Sequence, residues 1–313
     1  MYFQTAVHKP HSCTSFCALN MSATTVFLFA ALCVSAVAEV PLWELTPIPP
    51  VEVPAEGSAL SDQRIVGGYE AEPYKRGYQV LFRTKGSYCG GVVISKLFVL
   101  TAAHCILDKN RRMTVTVGIH DLKVKESFTQ VIPVAKAFLH PDYYRDKGIT
   151  NDIAVLKLEQ KMKMTDKVFP LKLPTHPVKA DTPVVVTGWG RTMSETKKTT
   201  LQEIVTRTIT VQKCKETFRF VDETIICTRA TNVSPCNGDS GGPAMHEGYL
   251  VGLVSFGTKC CITDIPQGFT SVYHHLIWIE RAMHPNYTFL SGCGILDLSL
   301  VLIVLAQLFL YWI

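Results

Sequence analysis

Short hydrophobic runs separated by glycine and charged residues dominate the middle of the chain. Between residues 78 and 117 they include Val80–Phe82, Val92–Ile94 and Phe98–Leu100, and a similar run with a turn follows at Val184–Gly190. Runs of this length, rich in β-branched and aromatic residues and broken at short intervals, are typical of strands in antiparallel barrels. Because no long helical period interrupts the early runs, the pattern predicts an antiparallel β-barrel.

A helical period appears only after these strands. Val272, Leu276, Ile279 and Met283 recur every three or four residues, which places them on one face of a helix. The pattern therefore predicts an amphipathic helix over Ser271–Met283.

A short apolar run near the start of the chain, Val26–Val37, ends in a small-x-small signature at Ala38. This pattern is typical of a secretory signal peptide, and the run is too short to span a bilayer. We expect residues 1–38 to be removed, with Met21 as an alternative start. The proline-rich segment that follows, residues 39–64, has little periodicity and is expected to be flexible and solvated.

The chain ends in an apolar tail, Ile295–Ile313, with few polar interruptions. At ~1.5 Å per residue, a helix over this tail spans roughly 28 Å, close to the ~30 Å of a bilayer core. No basic residue follows the tail, and small residues precede it near Ser291, which favours a glycolipid (GPI) anchor signal over a retained transmembrane helix. We expect residues 291–313 to be a membrane-anchor segment of one of these two kinds.

Composition supports a secreted, folded protein. Of 313 residues, 47% are hydrophobic and 18% charged, which indicates a filled core rather than disorder. The net charge is +5 with lysine and arginine scattered, so no nucleic-acid footprint is expected. The 11 cysteines indicate an oxidising compartment, in agreement with the secretory pathway and the extracellular face of the plasma membrane.

Ser240 stands out as a candidate nucleophile. It lies in the segment Cys236–Pro243, where glycines on both sides allow a tight turn that displays the hydroxyl and directs backbone N–H groups to the same point. A glycine-rich surface turn is the alternative interpretation of such a segment taken alone.

His104 and Asp152 offer the acid–base chemistry that such a serine needs. His104 follows a predicted strand, and a neutral imidazole there can take a hydroxyl proton and return it to a leaving group. Asp152 opens the apolar run Ile153–Leu158, where an unpaired carboxylate would be costly. Taken singly, a packing histidine and a strand-capping surface aspartate are the alternatives.

The contexts of these residues, Thr-Ala-Ala-His-Cys, Asn-Asp-Ile-Ala and Cys-Asn-Gly-Asp-Ser-Gly-Gly-Pro, occur in this order along the chain. They resemble the motifs of the trypsin/chymotrypsin-like serine proteases, and the resemblance extends from Ile65 to about Met283. It implies a peptidase domain over residues 65–290, all-β, with two antiparallel six-stranded β-barrels, the active site between them and a C-terminal helix.

The resemblance also implies roles for the site residues. Ser240 would attack the peptide carbonyl, His104 would carry the proton, and Asp152 would orient His104. The N–H groups of Gly238 and Ser240 would form the oxyanion hole, and no cofactor is needed. Protein or peptide substrates and protein inhibitors are the implied partners. A non-catalytic binding or adhesion protein on the same fold is the alternative.

The segment that begins at Arg64 and Ile65 resembles the zymogen activation site of this family. Cleavage after Arg64 by a trypsin-like protease would free the Ile65 α-amine to pair with the carboxylate of Asp239. Residues 39–64 would then be a propeptide, and they contain no cysteine that could tether them after cleavage.

The resemblance further implies three disulfides: Cys89–Cys105, Cys214–Cys227 and Cys236–Cys260. Cys261 is an alternative partner for Cys236, and the pairing of Cys261 and Cys293 stays open.

The substrate pocket is expected to have a neutral floor. By the resemblance, Ser234 occupies the floor, and Ser255 and Gly257 lie on the strand that pairs with the substrate backbone. Because a basic side chain would stay unpaired over Ser234, we expect neutral medium-sized or aromatic side chains to be preferred. Gln267 occupies a position where many relatives have glycine and would narrow or polarise the pocket, and an acidic contribution from Asp264 stays open.

The sequence argues against a calcium site and predicts one glycosylation site. The family's calcium loop resembles residues 118–130 here, but Ile119 and Thr129 replace expected carboxylates, so no metal is expected. Asn286, in the pattern Asn-Tyr-Thr, is the expected glycosylation site.

Overall fold

The computed structural model describes residues 67–84, 86–106, 108, 112–143, 149–190, 199–258 and 262–284. The predictions that lie outside these residues concern the signal peptide 1–38, the propeptide 39–64, the anchor segment 291–313, Arg64, Ile65, Cys260, Cys261, Asn286 and Cys293. Within the described part of the chain, no helix is both long and apolar enough to cross a membrane.

Six strands form a first closed antiparallel barrel, in the order β2-β3-β4-β7-β6-β5. In chain order they are β2 (Gln79–Thr84), β3 (Ser87–Val93), β4 (Phe98–Thr101), β5 (Thr114–Val117), β6 (Gln130–Leu139) and β7 (Ala154–Leu158). Closure leaves this barrel without a free edge, so every strand has two neighbours.

Six further strands form the second barrel, in the order β9-β10-β13-β12-β11-β8, closed by pairing of β8 with β9. They are β8 (Pro183–Gly188), β9 (Gln202–Ile209), β10 (Ile225–Arg229), β11 (Pro243–His246), β12 (Tyr249–Phe256) and β13 (Gln267–Ser271). The two closed barrels confirm the predicted fold class.

The apolar run at Val80–Phe82 is buried on both faces of β2, which explains why it shows no polar alternation. Val80 and Phe82 point into the first barrel's core. Leu81, on the opposite face, packs with Trp189 and Leu201 from the second half of the chain. One face of β2 therefore fills a barrel and the other forms part of the contact between barrels.

Two short helices accompany the barrels. Helix α1 (Val211–Lys215) follows Thr210, whose side chain accepts from the Lys213 N–H at 3.2 Å. Helix α2 (Leu276–Met283) confirms the C-terminal helix, but the predicted start at Ser271 is wrong. Ser271 ends β13 and donates its N–H to the Thr224 carbonyl at 2.8 Å, so the chain remains in the sheet there.

Each end of the described domain is held by the barrel to which it is not adjacent in sequence. The N-terminal strand β1 (Tyr69–Glu70) precedes the first barrel but pairs with β9 of the second barrel, with Tyr69 opposite Glu203. Helix α2 follows the second barrel but packs against β7 of the first. The two barrels are thus fastened at both ends of the chain.

A buried ion pair also joins the barrels. Arg76, which precedes β2, donates from Nε and Nη2 to the two carboxylate oxygens of Glu203 on β9, at 2.8 and 3.1 Å. The two side chains are only 12% and 5% exposed. Such a bidentate pair compensates two buried charges, and the loss of one partner leaves the other uncompensated.

Glu203→Ala should therefore lower the free energy of unfolding by ~3–5 kcal/mol, measured by urea denaturation at neutral pH. The double variant Arg76→Met with Glu203→Leu should recover most of this loss, because it removes both charges and keeps apolar volume. A single variant within 1 kcal/mol of the parent would contradict this account of the pair.

Candidate active site

Asp152 is a buried carboxylate with donors on both oxygens. It is 1% exposed and lies just before β7. Its Oδ1 accepts from the His104 backbone N–H at 2.9 Å, and its Oδ2 lies 2.7 Å from Nδ1 of His104. The Ser255 hydroxyl donates to Oδ2 at 2.5 Å, and the Thr270 hydroxyl donates to the Asp152 carbonyl at 2.8 Å. The three contacts to the carboxylate oxygens compensate the buried charge.

The contact with Asp152 determines which nitrogen of His104 carries the proton. An ionised carboxylate only accepts hydrogen bonds, so Nδ1 is the protonated nitrogen in the neutral ring. Nε2 is then unprotonated and can accept a proton. The His104 side chain is 18% exposed, so the ring is largely enclosed but still accessible to a substrate.

A disulfide fixes the turn that carries His104 to a neighbouring strand. His104 lies in a 3-10 turn, Ala103–Cys105, directly after β4, and the Cys89–Cys105 disulfide ties this turn to β3. A ring nitrogen of His104 and the two sulfurs lie within 4.8 Å of one another. Because both sulfurs belong to the disulfide, this cluster has no thiolate for a metal and serves to hold the histidine.

Ser240 lies in the loop between β10 and β11, and its backbone contacts the first barrel. The Ser240 carbonyl accepts from the Gly90 N–H at 2.8 Å and lies 3.7 Å from Sγ of Cys105. The peptide of Ser240 is therefore adjacent to the residue that follows His104. The structure thus brings together the His104 turn, the Asp152 carboxylate and the Ser240 loop at the junction of the barrels.

The turn before Ser240 requires glycine. Gly238 has φ 105°, in the left-handed region that other residues avoid, and a Cβ there would lie 2.9 Å from the Tyr88 ring. Among the described residues, neither the Gly238 nor the Ser240 N–H donates to another group. Both remain available to hydrogen-bond a substrate oxygen.

Asp239, between these two residues, is completely buried. Its Oδ1 accepts from the Gly190 N–H at 2.7 Å and its Oδ2 from the Cys236 N–H at 2.8 Å. A Cβ on Gly188 would overlap Oδ1, so the carboxylate lies directly on the backbone of the second barrel. Burial raises the pKa of Asp239 to about 6, with the two backbone bonds acting in the opposite direction.

The predicted pocket floor is enclosed. Ser234 is completely buried, and its hydroxyl donates to the Pro235 carbonyl at 2.9 Å. The floor hydroxyl is thus already used as a donor within the chain. Asp264 is exposed, and its carboxylate accepts from the Thr263 hydroxyl at 3.2 Å.

Gln267, which is predicted to line the substrate pocket, is held in one orientation. It is 5% exposed, and its Nε2 lies 3.3 Å from the Ile262 carbonyl and 3.2 Å from the Ile265 carbonyl. These two acceptors identify the amide nitrogen, so Oε1 points the other way. A Cβ on Gly257 would overlap this Oε1, which places the amide oxygen against the backbone of Gly257.

An aromatic cluster beside Ser255 was not predicted from the sequence. The ring of Phe256 lies 5.2 Å from that of Phe218 and 5.0 Å from that of Phe220, measured between centroids. The Phe-x-Phe spacing at 218–220 could have indicated this cluster, since both rings project from one side of the segment and contact Phe256. The Cys214–Cys227 disulfide joins helix α1, which precedes this segment, to β10.

The third predicted disulfide is described in part. Cys236 is disulfide-bonded, and Cys260, its expected partner, lies outside the described residues. The identity of the partner therefore stays a prediction.

Comparison with known proteins identifies similar chains. The family model described as Trypsin matches residues 65–279. Granzyme E of Mus musculus is 40% identical over 233 residues, covering 71% of this chain and 92% of the relative. Duodenase-1 of Bos taurus is 38% identical over 230 residues, covering 70% and 89%. A solved structure described as "Structure of GrC" is 37% identical with a TM-score of 0.64, covering 69% of this chain and 98% of that one.

The raised pKa of Asp239 predicts that the free energy of unfolding depends on pH. Since the pKa rises from ~3.9 unfolded to about 6 folded, the folded state binds more protons between these values. The free energy of unfolding should therefore fall as pH rises from ~4 to ~6, by roughly 3 kcal/mol at most from this group.

Asp239→Asn is the matched control, because it lacks the titrating group. Partial burial and the nearby His275 lower the pKa of His140 to about 4, which gives a slope of the opposite sign, so the difference between parent and variant isolates Asp239. Identical slopes in urea denaturation of the two proteins from pH 4 to 7 would contradict the prediction.

Proposed function

We propose that this chain, which belongs to the trypsin-like serine protease family and is a serine endopeptidase, cleaves peptide bonds with His104, Asp152 and Ser240. Ser240 is the nucleophile, His104 moves the proton, and Asp152 orients the imidazole and stabilises its charged form. The observation that carries this proposal is the buried Asp152 carboxylate, which lies 2.7 Å from Nδ1 of His104.

The reaction divides into two steps. The Ser240 oxygen attacks the peptide carbonyl while Nε2 of His104 takes the hydroxyl proton, and the N–H groups of Gly238 and Ser240 hydrogen-bond the oxyanion. Collapse breaks the C–N bond, and the proton on Nε2 goes to the leaving amine. Water then attacks the acyl-enzyme in the same way, releases the acid product and regenerates Ser240. These steps require no cofactor.

Activation by cleavage after Arg64 is part of the proposal. The freed α-amine of Ile65 would pair with the buried carboxylate of Asp239, whose described hydrogen-bond donors are two uncharged backbone groups. A cation beside this carboxylate would favour its ionised form and hold the adjacent Gly238 peptide in place. An ordered oxyanion hole would then depend on the cleavage.

A fluorophosphonate directed at the active site should label the protein only after cleavage at Arg64, and Ser240→Ala should abolish labelling. Asp152→Asn should lower kcat by about 10⁴-fold, because it permits the wrong tautomer of His104. Ser255→Ala is the matched control: it removes one of several donors to Asp152 and should cost only about tenfold. Labelling of Ser240→Ala, or parental kcat in Asp152→Asn, would reject the assignment.

The proposed substrates present a neutral side chain to the pocket, medium-sized or aromatic. Two features support this preference: the enclosed floor at Ser234 and the fixed orientation of Gln267, neither of which supplies a negative charge. A basic side chain entering this site would lose its hydration without gaining a counterion. The Gln267 amide oxygen would offer hydrogen-bonding to a neutral donor.

Profiling of the activated enzyme on a peptide library should show cleavage after neutral residues. Gln267→Gly should raise kcat/KM for large aromatic side chains relative to small ones by about 5–50-fold, because it removes the side chain beside Gly257. Asp264→Asn is the control and should leave the profile unchanged, since this carboxylate is exposed. Dominant cleavage after arginine or lysine would overturn the specificity proposal.

We further propose that the protein enters the secretory pathway. The leader 1–38, the cysteine content and the tail 291–313 support a protease on the extracellular face of the plasma membrane, with a glycan on Asn286 and a GPI anchor. Release from cells by phosphatidylinositol-specific phospholipase C would support the GPI anchor, and retention would indicate a transmembrane helix.

A further inference from the structure

A small network behind Asp152 links the end of the second barrel to the turn that presents the carboxylate. His275, in the 3-10 turn before α2, lies with Nδ1 2.6 Å from the Ser271 carbonyl and Nε2 3.1 Å from Oδ1 of Asn151. The Asn151 Nδ2 donates to the Asp142 carbonyl at 3.1 Å. Asn151 immediately precedes Asp152, so this network reaches the peptide next to the catalytic carboxylate.

The backbone at Asn151 needs such an anchor. Its φ is 50°, in the left-handed region that asparagine tolerates better than most residues but still at a cost. The Asn151 carbonyl accepts from the Ile153 N–H at 2.8 Å, which closes a tight turn around Asp152. Any rotation of Asn151 would therefore move the Asp152 carboxylate relative to His104.

The network lacks one proton when His275 is neutral. The Ser271 carbonyl requires the proton on Nδ1, so Nε2 of a neutral ring faces Oδ1 of Asn151 as acceptor against acceptor. Rotating the Asn151 amide by 180° repairs that contact but turns Oδ1 toward the Asp142 carbonyl. Every contact is satisfied only when both ring nitrogens of His275 carry a proton.

We propose that His275 is a positioning residue for Asp152 and acts through Asn151. The hydrogen bond from His275 to Asn151 is strongest when both nitrogens of the imidazole carry a proton. The inference rests on the proposed catalytic role of Asp152. His275 would thus serve the reaction without touching the substrate.

The surroundings of His275 determine where it takes up the second proton. It is 3% exposed, and the His140 ring packs edge-on against it at 5.3 Å. Burial lowers its pKa below the usual 6.5, His274 acts in the same direction, and the Ser271 carbonyl and Asp222 oppose them. Burial and the adjacent His275 lower the pKa of His140 to about 4, with Asp142 opposing them, so His140 stays neutral at mildly acidic pH.

The test compares variants of the full chain activated at Arg64, with active sites counted by fluorophosphonate so that misfolded protein does not enter kcat. His275→Phe keeps a ring against His140 but has no N–H. We expect kcat to fall about tenfold with little change in KM, and the ratio of variant to parent kcat to be lower at pH 5 than at pH 8. His176→Ala, an exposed histidine, is the control and should match the parent.

Asn151→Ala provides a second variant that leaves His275 intact. It should reproduce the loss in kcat, and the double variant should be no worse than either single one, because both remove the same link. Parental kcat in His275→Phe, a loss confined to KM, a loss equal at both pH values, or additive losses in the double variant would each overturn the inference. If Asp152→Asn also keeps parental activity, the proposed function itself fails.

Discussion

The structure depends on one buried negative charge, the carboxylate of Asp152, to which both barrels supply hydrogen-bond donors. Asp152 belongs to the first barrel, as does His104, which donates from its backbone and faces the carboxylate with its ring. Ser255 and Thr270, on strands of the second barrel, supply the remaining donors to this residue. Since neither barrel alone could bury the carboxylate without a large desolvation cost, correct docking of the barrels and correct assembly of the site are the same event.

Local signals predicted the serine endopeptidase class, because each motif is contained in a few adjacent residues. The candidate catalytic residues could be predicted without knowledge of the fold: Ser240 from the glycines around it, His104 from its place after a strand and Asp152 from its place before one. The donors from Ser255 and Thr270 were not predicted, since they approach Asp152 across more than 100 residues of chain. The start of the last helix failed for a related reason: pairing in the sheet, a tertiary effect, overrode the helical period at Ser271.

The orientations of several side chains around the site also could not be predicted from the sequence. Gln267 could be recognised as unusual at its position, but the direction of its amide follows from two carbonyls in the preceding loop. The link between His275 and Asn151 likewise depends on how α2 returns to the first barrel. In each case the deciding groups are backbone carbonyls, whose directions no residue type reveals.

The reciprocal fastening of the chain ends has an engineering consequence. Strand β1 belongs to the sheet of the second barrel, and helix α2 packs against the first barrel. Cleavage of the connection between the barrels would therefore not yield two self-sufficient halves. The N-terminal fragment would carry β1 without its partner strand β9, and the C-terminal fragment would carry α2 without β7. The polypeptide is thus topologically suited to split-protein complementation, with the two fragments recognising each other through exchanged termini.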